Sequence, residues 1–411
     1  MQRLRIIVTG MVGQIPVGGV AWDYLQYAVG LHQLGHDVIY HEDTWSWPYH
    51  PIQQQNVDDP TYSANFISEF FARYCPALNT KWHYLHLHEK SCGMSRESFD
   101  EFARSADIFI NVSGACQVPE SLSPHCIKVF LDTDPGYNQI MLTERFSWSE
   151  NVDRWCAAVA GHDRHFTYAE NIHSPDCLVP HAGLAWQTTR MPIPLSLWRD
   201  AASRTPPAGA PWTTVMTWNA FKGKLIHKGV EYGSKGAEFE KLLNLPAALK
   251  ARKINVGMTV AVGGKAAPLE RVASHGWHVV DGPGASLTPE LYEQFIVESR
   301  GEISPAKHVY VATRSGWFSC RTACYLAAGR PVVVQDTGFA KYYPTGAGLL
   351  TFGTPEQAVE GIARVEADYE HHSKAALRVA SEALDSSNIL TKFVDDIVRP
   401  KVHTGTASRS V

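Results

Sequence analysis

The sequence predicts an α/β protein of two doubly wound domains facing each other across a cleft, and three observations lead there. Short, branched apolar runs of strand length alternate with segments of helical period along nearly the whole chain. A proline-rich stretch splits that alternation into two series. The 411 residues, 45% of them hydrophobic, are enough for two full cores.

The elements can be read in order. Leu4 to Val8 is a strand, closed by Gly10 and Gly13. Val20, Tyr24, Tyr27, Ala28 and Leu31 then recur at helical spacing, Gly35 stops the helix, and Asp37 to His41 starts the next strand. That βαβ unit implies a parallel sheet. Tyr62 to Tyr74 reads as helix, Trp82 to Leu87 as extended, and Arg96 to Ser105 as helix. DIFINV (Asp107 to Val112) and IKVFL (Ile127 to Leu131) have the continuous apolar character of strands buried on both faces, and His165 to Tyr168 is again extended. We place the first domain at 1–190 and a proline-rich linker at 191–211. The second domain occupies 212–385, with strands at TTVMTW (Thr213 to Trp218), NVGMTVAV (Asn255 to Val262), WHVV (Trp277 to Val280) and PVVV (Pro331 to Val334). Helices are expected near 236–243, around Leu269, and at 289–299, 318–328, 355–367 and 370–384. A last helix within 386–400 is free to pack back on the first domain, and 401–411 reads as a disordered tail.

Composition excludes several classes. Thirty-seven basic against 41 acidic side chains give a formal charge of −4, so no general attraction to a phosphate backbone is expected. No apolar run reaches the roughly 18 residues of a membrane span. Gly13 and Pro16 interrupt the N-terminal apolar stretch too early for a secretory signal, so a cytoplasmic protein without membrane partners is expected. The eight cysteines form no CxxC pair and read as reduced thiols; Cys320 and Cys324 share a helix face, but no metal site is expected.

The candidate chemistry lies at strand ends. In SGWFSCRTACYLAAGRPVVVQDTGF, Gly316 permits a tight loop, Ser319 can cap a helix carrying Arg321 and Thr322 in its first turn, and Gly329 ends it. Free N–H groups at such a helix start, with Arg321 beside them, suit a diphosphate, although an ordinary loop–helix–strand unit reads the same way. Lys235 precedes a helix in YGSKGAEF, and Lys222, Lys224 and Lys228 occupy the glycine-containing loop before it. Gly264 and Lys265 follow a buried strand, and Gly18-Gly19 opens the first helix. In VFLDTDPGYNQ, Asp132 and Asp134 leave a buried strand at a Pro-Gly turn, placed either to take a proton from an acceptor hydroxyl or simply to cap the turn. His162, beside Asp163, is a second catalytic candidate. Trp45, Trp47 and Tyr49 can line an acceptor site or pack a long loop.

Two stretches carry a resemblance. LAAGRPVV (Leu326 to Val333) resembles the helix–strand signature in the donor domains of GT-B glycosyltransferases, and VGGVAWDYLQYAVGLHQLGHDV resembles their opening acceptor-side unit. The element order agrees over nearly the first 400 residues. The resemblance implies two Rossmann-like domains and metal-independent transfer of a sugar from a nucleotide-sugar, a UDP-sugar first, to an acceptor hydroxyl, with no further cofactor. It implies that Lys235-Gly236 touches the donor phosphate. The sequence departs from the family where a ribose-binding glutamate is usual: Cys324 and Gly316 stand at the two glutamate positions. VFLDTDPGYNQ is also similar to a strand-end segment of phage DNA β-glucosyltransferases, which implies Asp134 as general base and aligns Arg321 with a donor-helix arginine. The acceptor is a small molecule or glycan, with a modified DNA base also open. The alternatives are a GT-B sugar-nucleotide epimerase and a non-catalytic nucleotide-sugar-binding protein. GMVGQIPVGG in place of GxGxxG argues against an oxidoreductase.

Overall fold

The computed structural model describes residues 2–149, 151–220, 223–264 and 266–399. Lys222, Lys265 and the expected tail lie outside the described residues. Chain order gives β1 Arg5–Thr9, β2 Asp37–Glu42, β3 Tyr49–His50, β4 Gln55–Asn56, β5 Trp82–His86, β6 Lys90–Gly93, β7 Ile108–Val112, β8 Ile127–Asp132, β9 Arg164–Thr167 and β10 Trp186–Thr188. The second half adds β11 Trp212–Thr217, β12 Leu225–His227, β13 Val230–Tyr232, β14 Met258–Gly263, β15 His278–Asp281, β16 Gly301–Ser304, β17 Val332–Gln335 and β18 Leu349–Phe352.

Two sheets dominate. The first has the order β10-β9-β8-β7-β1-β2-β5-β6 and is parallel except for the antiparallel β5–β6 edge. The second, β15-β14-β11-β16-β17-β18, is parallel throughout. Both reverse order beside their first strand, the position at which such sheets leave a crevice at their carboxyl ends. The central strands β1, β7 and β8 are buried along most or all of their length, as their apolar runs require.

The halves are joined more closely than a proline-rich linker suggests. Trp198, in the short 3₁₀ turn Leu195–Trp198, is fully buried and packs 4.8 Å from Trp22 of the first helix, Gly18–Gln33. One hydrophobic cluster runs from β1 and β8 through Trp22 and Trp198 to the second domain's Tyr292, Tyr325 and Val332. The last helix, Ser386–Val398, returns to the first domain, where Phe393 meets Phe166 edge-on at 4.6 Å. Helices Tyr137–Glu144 and Val152–Ala160, the edge strand β10 and the β12–β13 hairpin have no counterpart in the pattern reading. The hairpin crosses between domains: Leu225 and Tyr232 share a cluster with Ile140, Met141 and Tyr310, and His227 pairs with Glu144 at 2.6 Å.

Candidate active site

The turn after β8 reaches across to the second domain because two carboxylates divide the work. Asp132 is fully buried. It accepts hydrogen bonds from Asn138 (2.7 Å), Gln139 (2.6 Å), Thr167 (2.6 Å) and the Asp134 amide (3.0 Å). Burial pushes its carboxyl up to about 6 in spite of those donors. Asp132 therefore holds the turn rather than facing the cleft. Asp134, two residues on, crosses the interface: one carboxylate oxygen is paired with Lys307 and the other accepts from Tyr310 at 2.5 Å. Trp317 stacks on Tyr310 at 4.3 Å and donates its indole N–H to the Thr133 carbonyl at 3.2 Å, fixing the same turn from the other side.

Three groups complete the cluster. Asp23, on the first helix, shares a hydrogen bond with Cys320 at the start of helix Cys320–Ala327, and lies within electrostatic reach of Asp134 and Lys307. Burial pushes its carboxyl up to about 7. Lys235 opens the short helix Lys235–Phe239; burial, then the Arg321 charge, holds its ammonium well below the ordinary range. Arg321 bonds Glu302 (2.5 Å), the Val215 carbonyl (2.5 Å) and Ser304 (2.8 Å). Its guanidinium is thus tied into the second sheet, while the first-turn amides of its own helix carry no backbone acceptor among the described residues.

The other expected donor-side residues fall around this cluster. Gly18 and Gly19 start the first helix with their amides already bonded to Ser286 of the second domain, the first to its carbonyl at 2.6 Å and the second to its hydroxyl at 3.2 Å. Ser319 is a buried N-cap without a side-chain cap bond, and Thr322 is buried against Ser304. Gly316, at φ +81°, abuts the first domain: a Cβ there would lie 2.4 Å from the Asn171 amide. Gly264, at φ +106°, follows β14 beside Trp218. Cys324, at the ribose-glutamate position, is fully buried in the shared core and presents nothing to the cleft.

His162 and Trp45 belong to a separate place, a first-domain cavity of about 950 Å³. Both His162 nitrogens are engaged, Nδ1 with the Ala158 carbonyl at 2.8 Å and Nε2 with the Asn111 amide at 3.2 Å. Trp45 is half exposed and stacks on His88 at 4.3 Å. Trp47 is exposed, and Tyr49 lies in the small β3–β4 hairpin. The structure thus brings Asp134, Lys235 and Arg321 together and leaves His162 and the aromatic trio elsewhere. Asp23, Lys307, Tyr310 and Glu302 had no local signal: each is an ordinary helix or loop residue until the domains meet. Among the described residues, no group of three His, Cys, Asp or Glu side chains is placed to hold a metal, and no helix is long and apolar enough to cross a membrane.

No protein-family model matches the chain, and no curated protein sequence does. Solved structures match over nearly its whole length. A structure titled as an alpha-glucosyltransferase in complex with UDP and a 13-mer DNA containing a HMU base aligns with TM-score 0.56 at 10% identity, covering 97% of this chain and 100% of its own. Anabaena HepE in complex with UDP-glucose gives 0.55 at 10%, covering 96% and 99%. Sucrose-phosphate synthase from Thermosynechococcus elongatus gives 0.51 at 12%, covering 96% and 98%. The chain has the fold of these glycosyltransferases, the two-domain GT-B fold.

Proposed function

We propose that this chain transfers a sugar from a nucleotide-sugar, a UDP-sugar first, to an acceptor hydroxyl in the cleft between its two sheets. The observation that carries the reading is the meeting of Asp134 with Lys307 and Tyr310, beside Asp23, Lys235 and the open start of helix Cys320–Ala327, at the carboxyl ends of both sheets. The fold's relatives include structures titled with UDP and with UDP-glucose, which supports the donor class.

Each group has a task in that reaction. The first-turn amides and Lys307 neutralise the diphosphate as its bond to the sugar breaks, a charge that grows toward the transition state, and Lys235 donates a hydrogen bond to it. The acceptor oxygen attacks the anomeric carbon, and Asp134 takes its proton. Lys307 and Tyr310 hold the Asp134 carboxylate in place until the acceptor hydroxyl displaces one of them. Asp23, whose carboxyl burial raises to about 7, lies within electrostatic reach of that carboxylate and of Lys307, and its charge state biases the Asp134 carboxylate. Arg321 acts through Glu302, fixing the floor on which the helix start rests.

Calorimetry with UDP, GDP, ADP, TDP and CDP, followed by a transfer assay with the sugar of whichever binds, tests the reading. Asp134→Asn is expected to lower transfer by about 10²–10⁴-fold while retaining nucleotide binding, and Lys307→Gln to weaken that binding. Failure of the wild-type protein to bind any of the five, or an Asp134→Asn variant with wild-type transfer, would sink it.

A further inference from the structure

The first-domain cavity is walled by the loop after β7, the exit of β2 and helices Tyr137–Glu144 and Val152–Ala160. At about 950 Å³ it falls within the size range of small-molecule sites. Two of its lining residues hold the turn that presents Asp134. Asn138 lines it and bonds Asp132, while Ser113 lines it and shares a 2.5 Å hydrogen bond with Thr133.

Its polar groups are unevenly charged. Lys128 and Arg154 lie in the wall, and the Arg154 guanidinium meets a neutral partner, the Gln117 side-chain carbonyl, at 3.2 Å. Asp43 is the one carboxylate among the described lining residues. Its Oδ2 bonds His88 at 2.8 Å, whereas its buried Oδ1 has no hydrogen-bond partner. A buried acceptor left unpaired is costly unless a ligand donor supplies its bond. Between these poles, Trp155 offers a flat apolar face, and Asn111 and His162 hold each other in fixed orientation. Burial holds the His162 ring below its ordinary value, which favours its neutral form.

We propose that this cavity is the acceptor site and that its ligand is an anionic sugar, one bearing a carboxylate or a phosphate. The anion pairs with Lys128 and Arg154, a ring hydroxyl donates to Asp43, and the sugar face lies against Trp155. The proposal rests on the glycosyl-transfer reading for the word acceptor; the binding site itself stands on the cavity alone.

Calorimetry on the full chain with glucose, glucuronate, glucose 6-phosphate and inorganic phosphate tests it. At least one of the two anionic sugars should bind about tenfold more tightly than glucose, and which one does identifies the anion as carboxylate or phosphate. Lys128→Gln and Arg154→Gln should each erase that preference, and Asp43→Asn should weaken the anionic sugar but not inorganic phosphate. UDP binding should be unchanged in all three. Equal binding of glucose, or tighter binding of a duplex oligonucleotide carrying 5-hydroxymethyluracil, overturns the assignment. If UDP binds and no sugar does, this proposal fails and the transfer reading stands. If an anionic sugar binds with the predicted variant pattern and no nucleotide does, the site stands and the transfer reading falls.

Discussion

At the scale of single residues, the protein carries buried carboxylates whose protons matter near neutral pH. Burial raises Asp23 and Glu42 to about 7 from ordinary values of 3.8 and 4.5. The folded state therefore binds their protons more tightly than the unfolded chain does, and their contribution to stability is full below about pH 4 and lost as pH rises through 7. The buried pair His41 and His83 works in the opposite direction. Burial holds both below 6.5, His83 at about 4, so their contribution is full above 6.5 and declines as pH falls. Burial lowers His36, His162 and His372 too, so the carboxylate contribution is read against a variant that lacks it. Lowering the pH from 8 to 6.5 should raise the stability of the wild type relative to Glu42→Gln by on the order of 1 kcal/mol, seen as a growing Tm difference in scanning fluorimetry; a difference independent of pH would contradict the assignment. Arg321 offers a second residue-scale prediction. Arg321→Met leaves Glu302, which is wholly buried, without its cation, and should cost about 3–5 kcal/mol in urea unfolding. Adding Glu302→Met should recover most of that loss. Such pairs explain what was legible in the sequence. Lys235 and Arg321 announced themselves by position at helix starts, and Asp134 by its strand exit. Asp23 and Lys307 carry no such local mark, because their partners lie on the opposite domain.

At the scale of elements, period and punctuation located the strands that both faces bury. β7 and β8 were readable because branched and aromatic apolar residues fill every position but Asn111, Lys128 and the closing Asp132, and the first helix because Gly35 stops it at φ +91°. The helix Tyr137–Glu144 was not readable: it opens directly on a Pro-Gly turn, and Asn138 and Gln139 on its buried side are there to hold Asp132, not to form an apolar stripe. The strands of the β12–β13 hairpin are three residues each, too short to show an alternation, and they owe their place to the other domain. The last helix was legible as a helix, yet its partner was not. Leu390 is fully buried, and a Cβ on Gly30 would lie 2.5 Å from its Cδ1. Leu390→Ala should therefore destabilise the protein by about 2–5 kcal/mol, measurable as a lower urea midpoint with an unchanged slope. A midpoint unaffected by this substitution would mean that the helix is not docked.

For the whole molecule, the two domains meet through backbone as well as side chains. Gly18 is set so close to the second domain that a Cβ would lie 2.3 Å from the Thr288 carbonyl oxygen. Backbone cannot swing aside as a long side chain can, so Gly18→Ala should push the domains apart at a cost of about 1–3 kcal/mol. Small-angle scattering should record a larger radius of gyration for this variant, and an unchanged radius would refute the closeness of the contact. A core continuous between the halves also predicts one cooperative calorimetric transition rather than two.

The return of helix Ser386–Val398 to the first domain has a consequence for how the protein is made. Chains emerge from the ribosome beginning at their N-terminus, and domains tend to fold in that order. Here the surface of the first domain around Gly30 and Phe166 stays uncovered until synthesis has passed residue 398. The first half to be translated is thus among the last to be finished, and during elongation its apolar seam is open to chaperones or to another nascent copy.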